Sequence, residues 1–329
     1  MANRKTIGLQ RIPRKKAMEF VFDRQIRPAL IVKVGEPFLV ETEDAYGGLI
    51  RTPDRLPISK HVPGLRPGTL WGNPMAGPIF VEGVGAEDLL TITVDKIVVD
   101  EQGVTCIEPG LGPLHDSKRW SECGGPFTHI IRHLPGPSGS TRDGKGVFND
   151  NVVWDLKPFI GTIGVAPKHE AASSVTGQGP WGGNIDCRDI KEGTTLFLNS
   201  YHEGGLLFVG DVHGSQADTE FYGVADETRA ELTLRCDVVK NKRVPNPRLE
   251  KADSIISLCS SRPLEDAVTT AMLNLMEWMV GDFGIDQKKA YMHLTVNPDV
   301  RVHVYQMVKA SGMAYTVGAE IPKKYLAMS

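Results

Sequence analysis

The segment from Tyr201 to Tyr222 holds most of the chain's candidates for metal and proton chemistry. Its potential ligands, acids and bases are His202, Glu203, Asp211, His213, Gln216, Asp218 and Glu220. Asp211 and His213 are two residues apart, so in an extended strand both side chains point to one face of a sheet. Asp218 and Glu220 have the same spacing, which predicts a second pair on one face.

Asp211 and His213 follow the uninterrupted apolar run Leu206–Val209, which is bounded by glycines. Such a run predicts a strand that is buried on both faces. Polar groups at the end of a core strand are costly unless they are paired or bind a metal. We therefore expect a function for Asp211 and His213.

Imidazole and carboxylate ligands without a thiolate suit zinc or another divalent ion. The expected ligands are Asp186, His202 and His213, and a hard oxygen site at Asp218 and Glu220 would instead take calcium as a second ion. His202 as a hydrogen-bonded structural histidine, and Asp218 and Glu220 as solvent-facing residues, remain the alternatives.

Two glycine-containing turns outside this segment are expected to complete the site. One is Pro180–Asp186, in which Gly182 and Gly183 allow close backbone approach to a substrate and precede Asn184. The other is the loop Trp71–Pro78, in which Asn73 either meets the substrate or hydrogen-bonds its own turn.

Other catalytic classes have less support in the sequence. No GxSxG motif is present, no GxGxxG follows a predicted strand, and no GxxxxGK followed by Ser or Thr occurs. Cys187 follows Asp186 and is a candidate thiol nucleophile, although nothing in its sequence neighbourhood would lower the pKa of the thiol.

The elements that must position these residues are mainly β. Leu90–Val94 and Leu232–Val238 alternate apolar and polar residues, as half-buried antiparallel strands do. The last quarter contains helices at about 263–293, of which 264–280 is the clearest, and then a strand at 300–308. These patterns predict a jelly-roll-like β-sandwich body with a few C-terminal helices, and long irregular loops at 107–150 and 240–252.

The composition restricts the classes of partner and the cellular compartment that are expected for this chain. The chain has 329 residues, a net charge of −3 and five cysteines without a CxxC spacing. This balance disfavours nucleic acid and anionic membranes, and the cysteine pattern favours a reducing cytoplasm over a disulfide scaffold. We expect an N-terminal arm at 1–24, a catalytic region at 25–310 that could comprise two packed sub-domains, and a C-terminal tail at 311–329.

Several motifs together resemble the acetamidase/formamidase family over about residues 25–310. They are KPFIGTIGVAP at 157–167, GGNID at 182–186, HEGGLLFVGDVHGSQADTE at 202–220, WGNPMAGPIFVEGV at 71–84 and NPDVRV at 297–302. The resemblance implies a cytoplasmic homo-oligomer that hydrolyses small carboxamides to acid and ammonia, with divalent metals bound in some members. This chain departs from the family's common Gln-Gly-Asp-Gly-Glu at Gln216–Glu220, where Ala217 and Thr219 replace the glycines.

The resulting hypothesis is a metal-assisted amidase. Glu220, Asp211 or Asp218 would act as the general base, and backbone N–H groups at Gly182 and Gly183 would hold the oxyanion. Amino-acid amides or cyclic amides are alternative substrates. A metal- or ligand-binding β scaffold without turnover and a thiol amidase using Cys187 are the rival functions.

Overall fold

The computed structural model describes residues 8–67, 72–309 and 312–326. Within these residues the fold is mainly β, with two α-helices near the C-terminal end. The strands are β1 (Arg11–Ile12), β2 (Val21–Phe22), β3 (Leu30–Lys33), β4 (Pro37–Thr42), β5 (Met75–Glu82), β6 (Leu89–Ile107), β7 (Phe127–Leu134), β8 (Lys145–Asn149), β9 (Val152–Asp155), β10 (Phe159–Val165), β11 (Ala172–Ser173), β12 (Gln178–Gly179), β13 (Gly182–Asn184), β14 (Thr195–Asn199), β15 (Leu207–His213), β16 (Glu227–Val239), β17 (Arg248–Glu250), β18 (Ser254–Ser261), β19 (Arg301–Gln306) and β20 (Tyr315–Pro322). The helices are α1 (Leu264–Phe283) and α2 (Gln287–Val296).

The long strands β6 and β16 form the spine of one large, mostly antiparallel sheet. In β16 the side chains of Leu232, Leu234 and Cys236 are fully buried, whereas Arg235 and Asp237 are exposed. This alternation is the one that the sequence predicts, because successive side chains of a strand face opposite sides of the sheet. The mainly β prediction is confirmed.

The strands that carry the candidate site lie in the deepest part of the sheet. β15 pairs with β10 on one side and with β5 on the other, and every residue of β10 and β15 is buried. The predicted core strand at 206–209 is therefore confirmed and extends to His213. Polar residues at its end are held in a dry, rigid frame.

The C-terminal helices pack on the sheet through one apolar face. Ala267, Ala271, Leu275 and Met279 of α1 are buried against β18 and β20. These residues recur at three- and four-residue steps, as expected for an amphipathic helix. The helix continues past the predicted end at Gly281 and stops at Gly284, which adopts the left-handed conformation that favours glycine at a helix C-terminus.

The chain ends are part of the sheet where the structure describes them. β1 pairs with β4, and Ile12 and Phe22 are fully buried, so the expected N-terminal arm contacts the body through strand pairing and two buried side chains. β20 lies between β18 and β19, so residues 315–322 belong to the body and not to a tail. Strand pairing between distant segments, which local patterning does not reveal, accounts for both differences.

The region 107–150 is more ordered than its composition suggests. It contains β7 and β8, which join β6 and β9 in successive antiparallel pairs. The sequence prediction of a long irregular loop is wrong for 127–134 and 145–149, because glycine and proline there mark turns between strands. None of the described helices is long and apolar enough to span a membrane.

Candidate active site

Four carboxyl groups and one imidazole converge at the end of β15. They belong to Asp186, Asp211, His213, Glu220 and Glu227, and are called the site cluster below. All five residues are at most 8% exposed. Ligand atoms of Asp186, Asp211 and His213 lie within 4.8 Å of one another, as do those of His213, Glu220 and Glu227.

Strand pairing brings the members of the site cluster together. Glu227, the first residue of β16, lies directly opposite His213 of β15 in the antiparallel ladder. Asp211 lies two residues before His213 on β15, and the backbone amides of Ile185 and Asp186 bond to the carbonyl of Gly161 in β10. These side chains thus hang from buried strands or their ends.

His213 sits among the carboxylates with its tautomer fixed. Gln216 Nε2 donates to the carbonyl oxygens of Asp186 (3.1 Å) and Tyr305 (3.0 Å). Gln216 Oε1 therefore faces His213 Nδ1 at 3.0 Å, and Nδ1–H donates to it. His213 Nε2 is left pointing at Asp211 Oδ1 (3.4 Å) and Glu227 Oε2 (3.2 Å), so it carries a proton or binds a cation.

Asp211 is oriented by a small polar network. Asn73 Nδ2 donates to Asp211 Oδ2 at 2.8 Å, and Thr162 Oγ1 lies 3.0 Å from the same oxygen. Thr162 Oγ1 donates to Asn184 Oδ1 at 2.7 Å. The predicted substrate residues Asn73 and Asn184 therefore adjoin the site cluster. Asn73 orients Asp211 directly, whereas Asn184 accepts from Thr162 and donates to the carbonyl oxygen of Val175 at 3.0 Å.

Burial and mutual repulsion disfavour full ionisation of the site cluster. Burial and the neighbouring Asp211 raise the pKa of Asp186 well above its usual value, and burial and Asp186 do the same for Glu220. Burial raises the pKa of Glu227 to about 7, although His213 opposes it. Burial also works against ionisation of Asp211, but the charge of His213 and the hydrogen bonds from neighbouring side chains together lower its pKa.

The backbone at the site is strained. Asp186, Asp211 and Glu220 have φ angles of 44°, 54° and 46°, in the left-handed region that residues with side chains rarely adopt. Strained residues of this kind gather at functional sites, where the surrounding structure holds them. Strain at three carboxylates of one cluster therefore points to function rather than to packing alone.

A divalent cation fits this donor set. Among the residues that the structure describes, none donates a hydrogen bond to the buried Asp186 Oδ1, and four acidic groups face a single imidazole. Gly161 leaves the necessary space, because a Cβ there would lie 2.8 Å from Asp186 Oδ1 and 3.0 Å from Asp211 Oδ2. Nitrogen and carboxylate oxygen ligands are those that zinc and related ions accept.

His202 does not join the site cluster, although the sequence makes it a candidate ligand. Its ring Nε2 lies 2.8 Å from the carbonyl oxygen of Pro167, as in the structural alternative. The chain turns at Gly204 and Gly205, which both have positive φ angles and separate His202 from the strand that carries His213 to the site.

Asp218 is also outside the site cluster. Residues 218–220 form a 3₁₀ turn rather than extended chain, with Thr219 at φ 73°. The turn directs Glu220 inward and leaves Asp218 exposed, where it pairs with Arg188 at 2.6 Å. The expected calcium pair of Asp218 and Glu220 is therefore not formed, because the predicted same-face geometry holds only in a strand.

The remaining sequence candidates have structural roles. Gly182 and Gly183 lie within β13, where a Cβ would come within 2.4 Å and 2.1 Å of neighbouring carbonyl oxygens, so close strand packing requires glycine. Cys187 is fully buried, and burial raises the pKa of its thiol. A buried protonated thiol is a poor nucleophile, which speaks against the thiol amidase.

A small cavity opens onto the site cluster. Its volume is about 60 Å³. The polar part of its lining includes Asn73, Asp186, Asp211, Glu220 and Glu227. Glu220 also lines a larger cleft of about 770 Å³ on its other side. The arrangement can hold a small polar molecule against several acidic groups, away from bulk water.

Known proteins are similar to this chain in sequence and in fold. A family model described as the acetamidase/formamidase family matches residues 168–325. An acetamidase from Yersinia enterocolitica is 30% identical and superposes with a TM-score of 0.84, over 99% of this chain and 95% of that one. The chain belongs to the acetamidase/formamidase family. The resemblance seen in the motifs is thereby confirmed.

Further relatives place the chain within this family at greater distance. An acetamidase from Bacillus halodurans is 27% identical with a TM-score of 0.83, covering 96% of this chain and 98% of that one. A curated protein of Schizosaccharomyces pombe that carries a formamidase name is 24% identical over 266 residues, 63% of this chain. The match spans 60% of that protein's length.

Glu227 and Gly161 belong to the candidate site, but the sequence analysis does not indicate either residue. Glu227 starts the alternating run of β16, and the apolar run before His213 predicts the strand opposite it. A hairpin pairing of these two strands would have indicated Glu227. No local signal marks Gly161, whose role depends on β10 lying beside Asp186.

Proposed function

We propose that the chain hydrolyses small linear carboxamides to the carboxylic acid and ammonia with the help of a divalent cation. The observation that carries this proposal is the buried site cluster, with its orphaned Asp186 oxygen, at one end of a small cavity. Family membership supports the reaction class. The sequence prediction of a cytoplasmic homo-oligomer rests on the family resemblance and stays a prediction.

Asp186, Asp211 and His213 are the residues that would hold the cation. His213 offers Nε2, because Gln216 occupies its Nδ1, and Asn73 steadies Asp211. When bound, a divalent ion polarises a carbonyl oxygen and makes a coordinated water more acidic. It would also relieve the repulsion among the buried carboxylates.

Glu220 is the proposed general base and acid. It lines the cavity beside Asp186, and burial keeps the pKa of its carboxyl well above the usual value. A buried carboxylate with a raised pKa is a stronger base than an exposed one, so Glu220 would take a proton from the attacking water and return it to the departing amide nitrogen. Glu227, opposite His213, balances the charge of the imidazole.

An ammonia-release assay tests the proposal. Formamide, acetamide, propionamide, amino-acid amides and lactams are offered to the untreated protein, to chelator-treated protein and to treated protein with zinc restored. We expect ammonia from the short linear amides, its loss with chelator and its recovery with zinc. Metal binding without ammonia from any amide would favour the non-catalytic scaffold, and full activity after complete metal removal would refute metal assistance.

A further inference from the structure

The cavity beside the site cluster is lined by two chemically different sets of residues. One is acidic and contains Asp186, Asp211, Glu220 and Glu227. The other is mainly apolar and consists of Ala45, Leu111, Val175, Val224, Val308 and Met313. Tyr46 and Glu108, joined by a hydrogen bond of 2.8 Å, also line the cavity. A carboxamide has the same division, since its polar group carries an apolar acyl chain.

The apolar side is a rigid wall. Leu111, Val224 and Val308 belong to one packed apolar cluster and are at most 8% exposed. Gly223 lies between them, and a Cβ there would meet Val308 Cγ1 at 2.9 Å and Leu111 Cδ2 at 3.2 Å. Close-packed walls of this kind cannot yield to a longer ligand without strain.

Met313 is the adjustable part of this wall. It precedes β20, is 4% exposed, and its Sδ lies 3.8 Å from Gln306 Nε2. A methionine has an unbranched, flexible side chain that fills irregular gaps. Shortening it would enlarge the cavity without removing a residue of the packed cluster.

The volume limits what the cavity can hold. At roughly 10–15 Å³ for each water-sized group, 60 Å³ corresponds to a few heavy atoms. The carboxamide group itself takes part of this space. Only a very short acyl chain then fits against the apolar wall.

We propose that Met313, together with Leu111 and Val308, sets the upper limit on acyl-chain length. This inference rests on the proposed amide hydrolysis. It assigns the acidic side of the cavity to the carboxamide and the wall formed by Leu111, Val308 and Met313 to the acyl chain. Selection is steric, because each methylene that finds no space against this wall costs binding in the transition state.

The test compares Met313→Ala with the parent on a ladder from formamide to hexanamide, by kcat/KM from ammonia release. Each newly accommodated methylene should raise kcat/KM about fourfold. The ratio of kcat/KM for butyramide to that for acetamide should therefore rise on the order of tenfold. Ala45→Val, at a half-buried lining position, should shift the ratio of propionamide to formamide the opposite way, by about tenfold. Met279→Ala, a buried methionine of α1 in another cluster, is the matched control and should leave both ratios unchanged.

Saturation-transfer NMR of the same amides separates this inference from the proposed reaction. If no variant releases ammonia but Met313→Ala binds longer amides and the parent does not, hydrolysis is refuted and the acyl wall is supported. If the parent turns over short amides and neither Met313→Ala nor Ala45→Val changes the chain-length ratios, the acyl wall is refuted and hydrolysis stands. The acyl wall is also refuted if Met279→Ala shifts the ratios as much as Met313→Ala does.

Discussion

Two groups of histidine and carboxylate side chains differ in how their charges are matched. The first reaches the large cleft through Glu220, and the second through Lys251, His303 and Glu320. The site cluster surrounds one imidazole with four acids. The second group, called the Glu320 network, consists of Glu320, Lys251, Ser254 and His303. Lys251 Nζ and Ser254 Oγ donate to Glu320 Oε1 at 2.8 Å and 2.5 Å, and His303 Nε2 lies 2.6 Å from Oε2.

The degree to which the carboxylates are neutralised by their partners distinguishes the structural group from the functional one. Partial burial opposes ionisation of Glu320, but hydrogen bonds from His303, Lys251 and Ser254 lower its pKa to about 2. The carboxylate is therefore stable in its ionised form without a further ligand. In the site cluster burial raises the pKa of three acids, and within the described part of the chain Asp186 Oδ1 has no hydrogen-bond partner. A fully satisfied network holds β18, β19 and β20 together, whereas an unsatisfied one is suited to a ligand.

Replacing the histidine of each group by alanine should give the largest difference in activity between variants. We expect His213→Ala to lower kcat/KM for short amides by about 10³-fold or more, because it removes a metal ligand and the only imidazole among the acids. His303→Ala should keep activity and lose stability instead. Ammonia release and metal content of the purified proteins measure the first effect, and thermal unfolding the second.

Removing the imidazole of His213 also leaves buried carboxylates without their charged partner, which lowers the stability of the fold. His213→Gln, which keeps a neutral polar group of similar size, is therefore measured alongside, with circular dichroism as the check on folding. Equal activity losses in folded His213 and His303 variants would remove the functional distinction between the two groups.

Gln216 should show a smaller effect of the same kind. It fixes the His213 tautomer through Nδ1 and is held by two carbonyl oxygens, so Gln216→Ala frees the ring to turn. Loss of such an orienting bond typically weakens metal binding about 10–100-fold. Zinc titration of the metal-free protein measures this. Tyr305→Phe, which removes one bond to Asp189 beside the Glu320 network, is the control and should leave zinc affinity unchanged.

The same comparison explains how much the sequence could predict. Asp211 and His213 were predictable because both end a buried apolar strand, although Asp211 itself departs from extended backbone with φ 54°. The helix at 264 was predictable from its periodicity. Glu227 and Gly161 depend on which strands become neighbours, and that is decided by pairings between distant segments. Asp218 and Glu220 were grouped by assuming extended chain, whereas the 3₁₀ turn sends them in opposite directions.

The Glu320 network should make the free energy of unfolding depend on pH in the acidic range. The folded-state pKa of about 2 lies below the ordinary 4.5, so between these values the unfolded chain binds more protons. The contribution is therefore complete above about pH 5 and is lost as pH falls towards 2, with an upper bound of about 3 kcal/mol. Urea unfolding of the parent and of Glu320→Gln at several pH values measures it. The two free energies should converge at low pH, and a constant gap would contradict this assignment.

Asp218→Asn should have the smallest effect. The sequence makes Asp218 a candidate base, but its side chain is 62% exposed and pairs with Arg188, and an exposed pair contributes at most about 1 kcal/mol. We expect kcat/KM within about twofold of the parent, whereas Glu220→Gln, at the inward end of the same turn, should cost about 10²–10⁴-fold because a general base is lost. Both variants are neutral amides of nearly unchanged size, so the comparison isolates the proton-transfer role. A large loss in Asp218→Asn with a small one in Glu220→Gln would exchange their roles and require the turn to open during catalysis.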